Sequence, residues 1–201
     1  MQKTTKSLEK VMVVKTLTLF PDGVWEGIRS EGVGAVQRII KENRQFLTRA
    51  KVEDDPSYKQ IIPYLIFCFK DRIFLMRRGT VGKEKRLHNK YTVGIGGHIR
   101  SSDLTHDDIF QWAKREFEEE VNYQGNFKVE VLGLLNREKT PVDSVHFGFV
   151  LRLIGDSDKI AVKNEHASGK LATLSECFGF YDQMEGWSQE VLDFLKGEKN
   201  G

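Results

Sequence analysis

Cysteine is scarce in this chain, with Cys68 and Cys177 the two among 201 residues. So few exclude a disulfide-stapled scaffold. Cys68 also lies inside the apolar run Leu65-Ile66-Phe67-Cys68-Phe69, which reads as a buried strand. A reducing compartment follows, and a cytoplasmic location is the expectation. No apolar run reaches the roughly 18 residues needed to cross a bilayer, so no membrane partner is expected. The opening Met1-Gln2-Lys3-Thr4-Thr5-Lys6 leads into no apolar signal-peptide region. A dominant charge is missing too: 31 Lys and Arg stand against 29 Asp and Glu, for a net +2. A balance so near zero gives no reason to expect nucleic acid as a partner. Internal repeats and low-complexity stretches are absent as well.

What is present is ordinary globular material, 39% hydrophobic and 30% charged, enough for one sizeable core. Val11 to Phe20 is rich in Val, Leu and Thr and reads as a strand, followed by the turn signal Pro21-Asp22-Gly23. From Gly34 to Ala50 the apolar residues Val36, Ile39, Ile40, Phe46 and Leu47 follow helical spacing. Glu53-Asp54-Asp55-Pro56 ends that helix and reads as a linker. Residues 1–57 are therefore expected to form a small α/β extension. Beyond it, Ile61–Phe69 and Ile73–Met76 read as strands joined by a tight turn at Lys70-Asp71-Arg72. A basic loop follows, with Arg77, Arg78, Lys83, Lys85, Arg86 and Lys90. Tyr91–Val93 reads as a short strand running into Gly94-Ile95-Gly96-Gly97. Asp107–Val121 reads as a helix, with Thr105 and Asp108 as its capping box. Phe127–Leu135, Val145–Ile154 and Lys170–Thr173 read as strands, and Ser188–Lys196 as a closing helix. The mixture predicts an α/β (α+β) fold with a mixed sheet covered by helices.

Chemistry concentrates in Arg115-Glu116-Phe117-Glu118-Glu119-Glu120-Val121-Asn122-Tyr123. Residues three and four apart share a helix face, so Glu116, Glu119 and Glu120 are neighbours there. Like charges so placed repel, and a hard cation such as Mg²⁺ or Mn²⁺ would turn the repulsion into coordination. Arg115 can pair with Glu119 one turn on. The bland alternative is a solvated acidic face, which the cluster alone favours. The flanks shift the balance. Gly96-Gly97-His98-Ile99 follows a predicted strand with glycines that permit a sharp turn and close approach to a ligand. Asn122 stands where the helix should end, a residue tolerated in the left-handed closing conformation.

Strand, glycine loop and a helix carrying R-E-U-x-E-E resemble the Nudix box, G-x5-E-x7-R-E-U-x-E-E-x-G-U, where U is bulky and apolar. The match is close over Arg115 to Tyr123, with Asn122 standing where the box has glycine. From Gly97 to Arg115 the spacing is 115 − 97 = 18 against 14 in the box. The loop thus carries four extra residues and lacks the first Glu, whose place falls on Asp103 counting forward or on Asp107 counting back. The segment Gly169-Lys170-Leu171-Ala172-Thr173-Leu174-Ser175-Glu176 resembles the end of Nudix domains. The stretch from Asp55 to Tyr64, together with the Gly-Gly-His-Ile loop, is similar to a bacterial subgroup with an N-terminal extension.

The resemblance implies an α/β/α sandwich over residues 58–201, with 1–57 as the extension. It implies a hydrolase cleaving the diphosphate linkage of a nucleoside diphosphate derivative, with Mg²⁺ or Mn²⁺ as cofactor. Glu116, Glu119 and Glu120 would hold the metal, the Gly97 carbonyl would add a ligand, and Arg115 would steady Glu119. A late-loop carboxylate would act as base or ligand, with Glu165 the candidate and Asp143 the runner-up. The alternative is a Nudix-fold nucleotide-binding or regulatory module without hydrolysis. An isomerase on the same fold would need a reactive cysteine, and Cys68 reads as packing. The exact substrate, the number of metal ions and assembly as a monomer or homodimer stay open at this point.

Overall fold

The structure is a computed structural model and describes residues 9–79, 89–104, 109–163 and 166–200. Its strands are β1 Lys10–Lys15, β2 Gly27–Arg29, β3 Gln45–Thr48, β4 Tyr58–Phe69, β5 Arg72–Arg78, β6 Tyr91–Thr92, β7 Gly94–Gly96, β8 Val121–Tyr123, β9 Phe127–Asn136, β10 His146–Gly155, β11 Ile160–Val162 and β12 His166–Thr173. Its helices are α1 Thr16–Leu19, α2 Val33–Asn43, α3 Arg49–Val52, α4 Ile109–Glu120, α5 Leu174–Phe178 and α6 Gly186–Asn200. The main sheet runs in the order β12-β5-β4-β10-β9-β2, and β11 pairs with β8 in a separate ribbon. A mixed sheet with helices is the α+β fold expected.

Two compact units divide the chain, each discontinuous in sequence. The first comprises Met1–Pro63, Gly97–Ala113 and Leu132–Val150; the second comprises Tyr64–Gly96, Lys114–Val131 and Leu151–Gly201. Residues 1–57, expected as an extension, fall within the first unit. In the first unit β1 lies antiparallel between β3 and the start of β4, with Val13 opposite Gln60 and Val14 opposite Lys59. Val11, Met12, Val13 and Val14 have no exposed surface, and Val11 and Val13 pack with Val52, Leu47 and Tyr58. Phe20, Trp25 and Phe147 meet edge to face at 5.6–6.0 Å, the favourable arrangement of ring quadrupoles.

The expected strand Val11–Phe20 is shorter than its composition suggests: it ends at Lys15, and Thr16 begins α1, with its hydroxyl donating to the Pro56 carbonyl at 2.7 Å. The expected helix from Gly34 stops at Asn43, and Phe46 and Leu47 belong to β3. Pairing with β1 supplies hydrogen bonds that another helical turn could not, and tertiary context overrides the periodicity.

In the second unit, β12 and β4 flank β5. Residues 61–68 of β4 are all buried, which explains why this stretch reads as a largely apolar run rather than an alternation. The β4–β5 hairpin closes through Lys70 at φ 54°, with Phe69 opposite Arg72. Thr173 and Glu176 cap α5 reciprocally, the Thr173 hydroxyl accepting from the Glu176 amide at 3.3 Å and the Glu176 carboxylate accepting from the Thr173 amide at 2.7 Å. Among the described residues no helix is long and apolar enough to cross a membrane.

Candidate active site

The last turns of α4 are fixed from beneath and from their end. Phe117 is buried, stacked at 6.4 Å on Phe67 and edge-on to Phe127 at 5.5 Å. Burying it sets which face of the helix its polar neighbours occupy. The helix ends because the chain turns directly into β8, whose Val121, Asn122 and Tyr123 pair with Val162, Ala161 and Ile160 of β11. Lys163 closes that end: its amide donates to the Glu120 carbonyl at 2.8 Å and its ammonium to the Glu118 carbonyl. A cation on those carbonyls also complements the negative end of the helix dipole. Asn122 is therefore not the left-handed stop expected from its position. Among the described residues, positive φ outside glycine occurs at Lys70 and Asn89, and Asn122 is a strand residue.

On this framework the structure brings Arg115, Glu116, Glu119 and Glu120 to one stretch of helix. Arg115 Nη1 lies 2.6 Å from Glu116 Oε1 and 3.2 Å from Glu119 Oε2, so one guanidinium joins two carboxylates across a turn. The environments differ: Glu119 is 57% exposed, Glu116 17% and Glu120 8%. Glu120 points inward, with Oε2 at 3.8 Å from His166 Nε2. Burial, followed by the nearby Arg78 guanidinium, pushes His166 down to about 4, so its ring is neutral at ordinary pH and the contact is not an ion pair. His166 lies directly opposite Arg78 in the β12–β5 register. Burial alone would lower the Arg78 value, but the carboxylates of Glu185 and then Glu120 outweigh it and hold Arg78 charged.

A buried polar cluster stands behind Arg78. Glu185 Oε2 accepts from Arg78 Nε at 3.4 Å, while Glu185 Oε1 accepts from the Tyr64 hydroxyl at 2.7 Å and the Thr92 hydroxyl at 2.6 Å. Ser188 Oγ, at 2.9 Å from the Tyr64 hydroxyl, accepts from the Val93 amide at 3.0 Å. Tyr64 reaches this point because Gly94 lies beneath its ring; a Cβ there would fall 2.0 Å from the ring carbon that bears the hydroxyl. Burial first, and Glu185 second, push the Tyr64 hydroxyl well above its usual range.

Three carboxylates at i, i+3 and i+4 offer the oxygen donors that hard divalent cations prefer, one of them buried, so the donor chemistry fits Mg²⁺ or Mn²⁺. Among the described residues no three His, Cys, Asp or Glu side chains converge into a ready-made metal cluster, and Arg115 pairs with both Glu116 and Glu119. Gly97 falls in the first unit, half-buried directly after β7. Asp143 is buried in that unit, paired with Arg137 and accepting from the Thr140 hydroxyl at 2.7 Å. Asp103 accepts from the Arg100 amide at 2.8 Å. Glu165, Asp107, the Thr105–Asp108 cap and Lys83, Lys85 and Arg86 of the basic loop lie outside the described residues. Sequence reasoning missed His166, Glu185 and the Tyr64 cluster. Nothing local marks them, because each gains its meaning from partners 28 to 124 positions away.

No family model matches the chain. It is 32% identical over 183 residues to protein YmaB of Bacillus subtilis (strain 168), covering 86% of this chain and 89% of that protein. The crystal structure of Tm1382, provisionally assigned as a Nudix hydrolase, superimposes with a TM-score of 0.76 at 29% identity, covering 93% of this chain and 98% of that one. DR0079 from Deinococcus radiodurans superimposes at 0.58 with 15% identity, over 92% of this chain and 98% of its own. The NUDIX domain of Shewanella oneidensis NrtR, solved with ADP ribose, superimposes at 0.55 with 9% identity, over 70% of this chain and 88% of its own.

Proposed function

The chain belongs to the Nudix hydrolase family, and from that membership we propose that it cleaves the diphosphate linkage of a nucleoside diphosphate joined to another group, with a divalent cation on the α4 carboxylates. The observation that carries the reading is the graded acidic turn of α4, where Arg115 joins Glu116 to Glu119 while Glu120 is turned inward. When bound, Mg²⁺ or Mn²⁺ supplies charge that offsets the phosphoryl oxygens and makes a coordinated water more acidic. Glu116, Glu119 and Glu120 are the residues that would hold it.

Each residue of the turn contributes differently. Glu119 is exposed and paired with Arg115, which also reaches Glu116 on the same face. Glu120 is buried, with Oε2 at 3.8 Å from the His166 ring, and so provides the inward member of the set. The general base is assigned to Glu165 rather than Asp143, whose carboxylate is engaged by Arg137 and Thr140. Both cysteines are free and buried, which suits a cytoplasmic enzyme.

The test is a panel of nucleoside diphosphate derivatives, ADP ribose among them, incubated with the full-length protein and read by product mass. Phosphorylated fragments should appear with Mg²⁺ or Mn²⁺ and not in chelator, and Glu119→Gln should lower turnover at least about a hundredfold while remaining folded. A protein that binds a panel compound and leaves it intact is a binding module, and the hydrolase reading then fails.

A further inference from the structure

The outer side of β9 is covered at one end and open at the other. β2 pairs with its last three residues, Arg29 opposite Leu134 and Gly27 opposite Asn136. Among the described residues no strand lies on that side of Phe127–Val131. Lys128, Val129, Glu130 and Val131 are all exposed, Val129 by 38% and Val131 by 50%. Leu17 and Val24 are the other large apolar side chains left open among the described residues, and neither belongs to a strand. An open strand edge presents a row of backbone donors and acceptors on which another strand can form, and proteins that stay monomeric blunt it with proline, a bulge or charge. Phe127-Lys128-Val129-Glu130-Val131 contains no proline, and its charges alternate with apolar residues. One face of the strand therefore carries Phe127, Val129 and Val131, and the other carries Lys128 and Glu130.

That order of residues is complementary to itself. Two copies running antiparallel about a two-fold axis at Val129 set Lys128 opposite Glu130 of the partner subunit, Val129 opposite Val129 of the partner subunit, and Phe127 opposite Val131 of the partner subunit. Opposite charges and aromatic with β-branched residues are the cross-strand pairs that stabilise an antiparallel ladder. All the apolar side chains fall on one face and both ion pairs on the other. Moving the axis by one residue in either direction brings lysine onto lysine or glutamate onto glutamate, so the charges select a single register. Glu130 is also held in place within its own chain, because Arg152 of β10 donates to its Oε2 through Nη2 at 2.8 Å and Nε at 3.0 Å. Arg152 is tied in turn to Glu198 of α6 at 3.6 Å.

We infer that two copies of this chain join through β9, by antiparallel pairing of Phe127–Val131 with the same segment of a partner subunit about Val129. The self-complementary order of charge is what names a second copy as the occupant of this edge. A two-fold contact of this kind uses the edge of both subunits, so assembly stops at two. The pairing needs nothing from the hydrolase reading, and either can fail without the other.

The experiment is sedimentation equilibrium of the full-length protein and of charge-swapped variants. The wild type should be mainly dimeric at about 100 μM, as a contact of this modest size allows. Lys128→Glu and Glu130→Lys should each weaken dimerisation at least about tenfold, because each sets like charges opposite one another twice. An equimolar mixture of those two variants restores opposite charges at both positions and should dimerise within about threefold of wild type. Should either charge variant fail to fold by circular dichroism, Val129→Cys carries the test. Under mild oxidation it should form a disulfide between subunits, whereas Val131→Cys, whose two copies stand about 14 Å apart along the strands, should not. Cys68 and Cys177 are buried and do not compete. A monomeric wild type, a charge variant as dimeric as wild type, a mixture no tighter than its components, or a Val131→Cys disulfide as ready as that of Val129→Cys overturns the assignment.

Discussion

At the scale of single residues, burial decides what a polar or reactive side chain can do. Glu119 and Glu120 are adjacent in sequence and identical in type, yet one is open to solvent and the other is turned under the helix. The same argument makes the two cysteines inert. Burial pushes the thiols of Cys68 and Cys177 up to about 11, and Arg152 near Cys68 and Lys170 near Cys177 offset only part of that. At pH 8 roughly one thiol in a thousand is then the reactive thiolate. A thiol reagent should label the native protein far more slowly than the unfolded chain at that pH. The folded value lies above the unfolded one, so the stability from keeping these thiols protonated is complete below about pH 9. It is lost as pH rises from there through about 11, where the unfolded chain releases protons that the fold retains. The denaturant midpoint should therefore fall less over that interval in a Cys68→Ala/Cys177→Ala variant than in the wild type. Equal falls would mean that the thiols titrate normally in the fold. The acidic residues of the turn were legible in the sequence because their chemistry is local. His166 and Glu185 were not, because their meaning comes from β12 lying against β5 and from hydroxyls on β4 and β6.

At the scale of elements, the long strands were readable and the short ones were not. β4, β9 and β10 carry apolar runs that decide their type without help. Three-residue strands such as β2, β8 and β11 have too few residues to show a period, and they exist because of their partners. The end of α4 shows the cost of reading such a place locally. Asn122 looks like a helix stop, but the chain straightens there because β11 is alongside. The two readings give opposite signs for one substitution. As a strand residue, Asn122→Gly should destabilise by about 0.5–1 kcal/mol, since glycine loses more backbone entropy in a strand. Were Asn122 a left-handed cap, glycine would stabilise the protein instead. Equilibrium denaturation of the single variant decides between them.

At the scale of the whole molecule, the N-terminal segment is part of the structure rather than a passenger. β1 carries four consecutive residues with no exposed surface, and it is hydrogen-bonded to β4, the strand that also supplies Tyr64. Deleting residues 1–57 strips that edge of β4 and opens the core around Val52, which is itself lost. The remaining 58–201 should fail to melt cooperatively or to run as a compact species in size-exclusion chromatography, whereas a cooperative melt like that of the full chain would show that the extension is dispensable. Across all three scales the account depends on one claim, that the carboxylates of α4 gather a divalent cation. The most direct measurement is Mn²⁺ titration, by electron paramagnetic resonance, of the full-length protein and of a folded Glu116→Gln/Glu119→Gln/Glu120→Gln variant. The wild type should bind Mn²⁺ and the variant should lose that binding by at least about a hundredfold; equal binding by the two proteins would contradict the account.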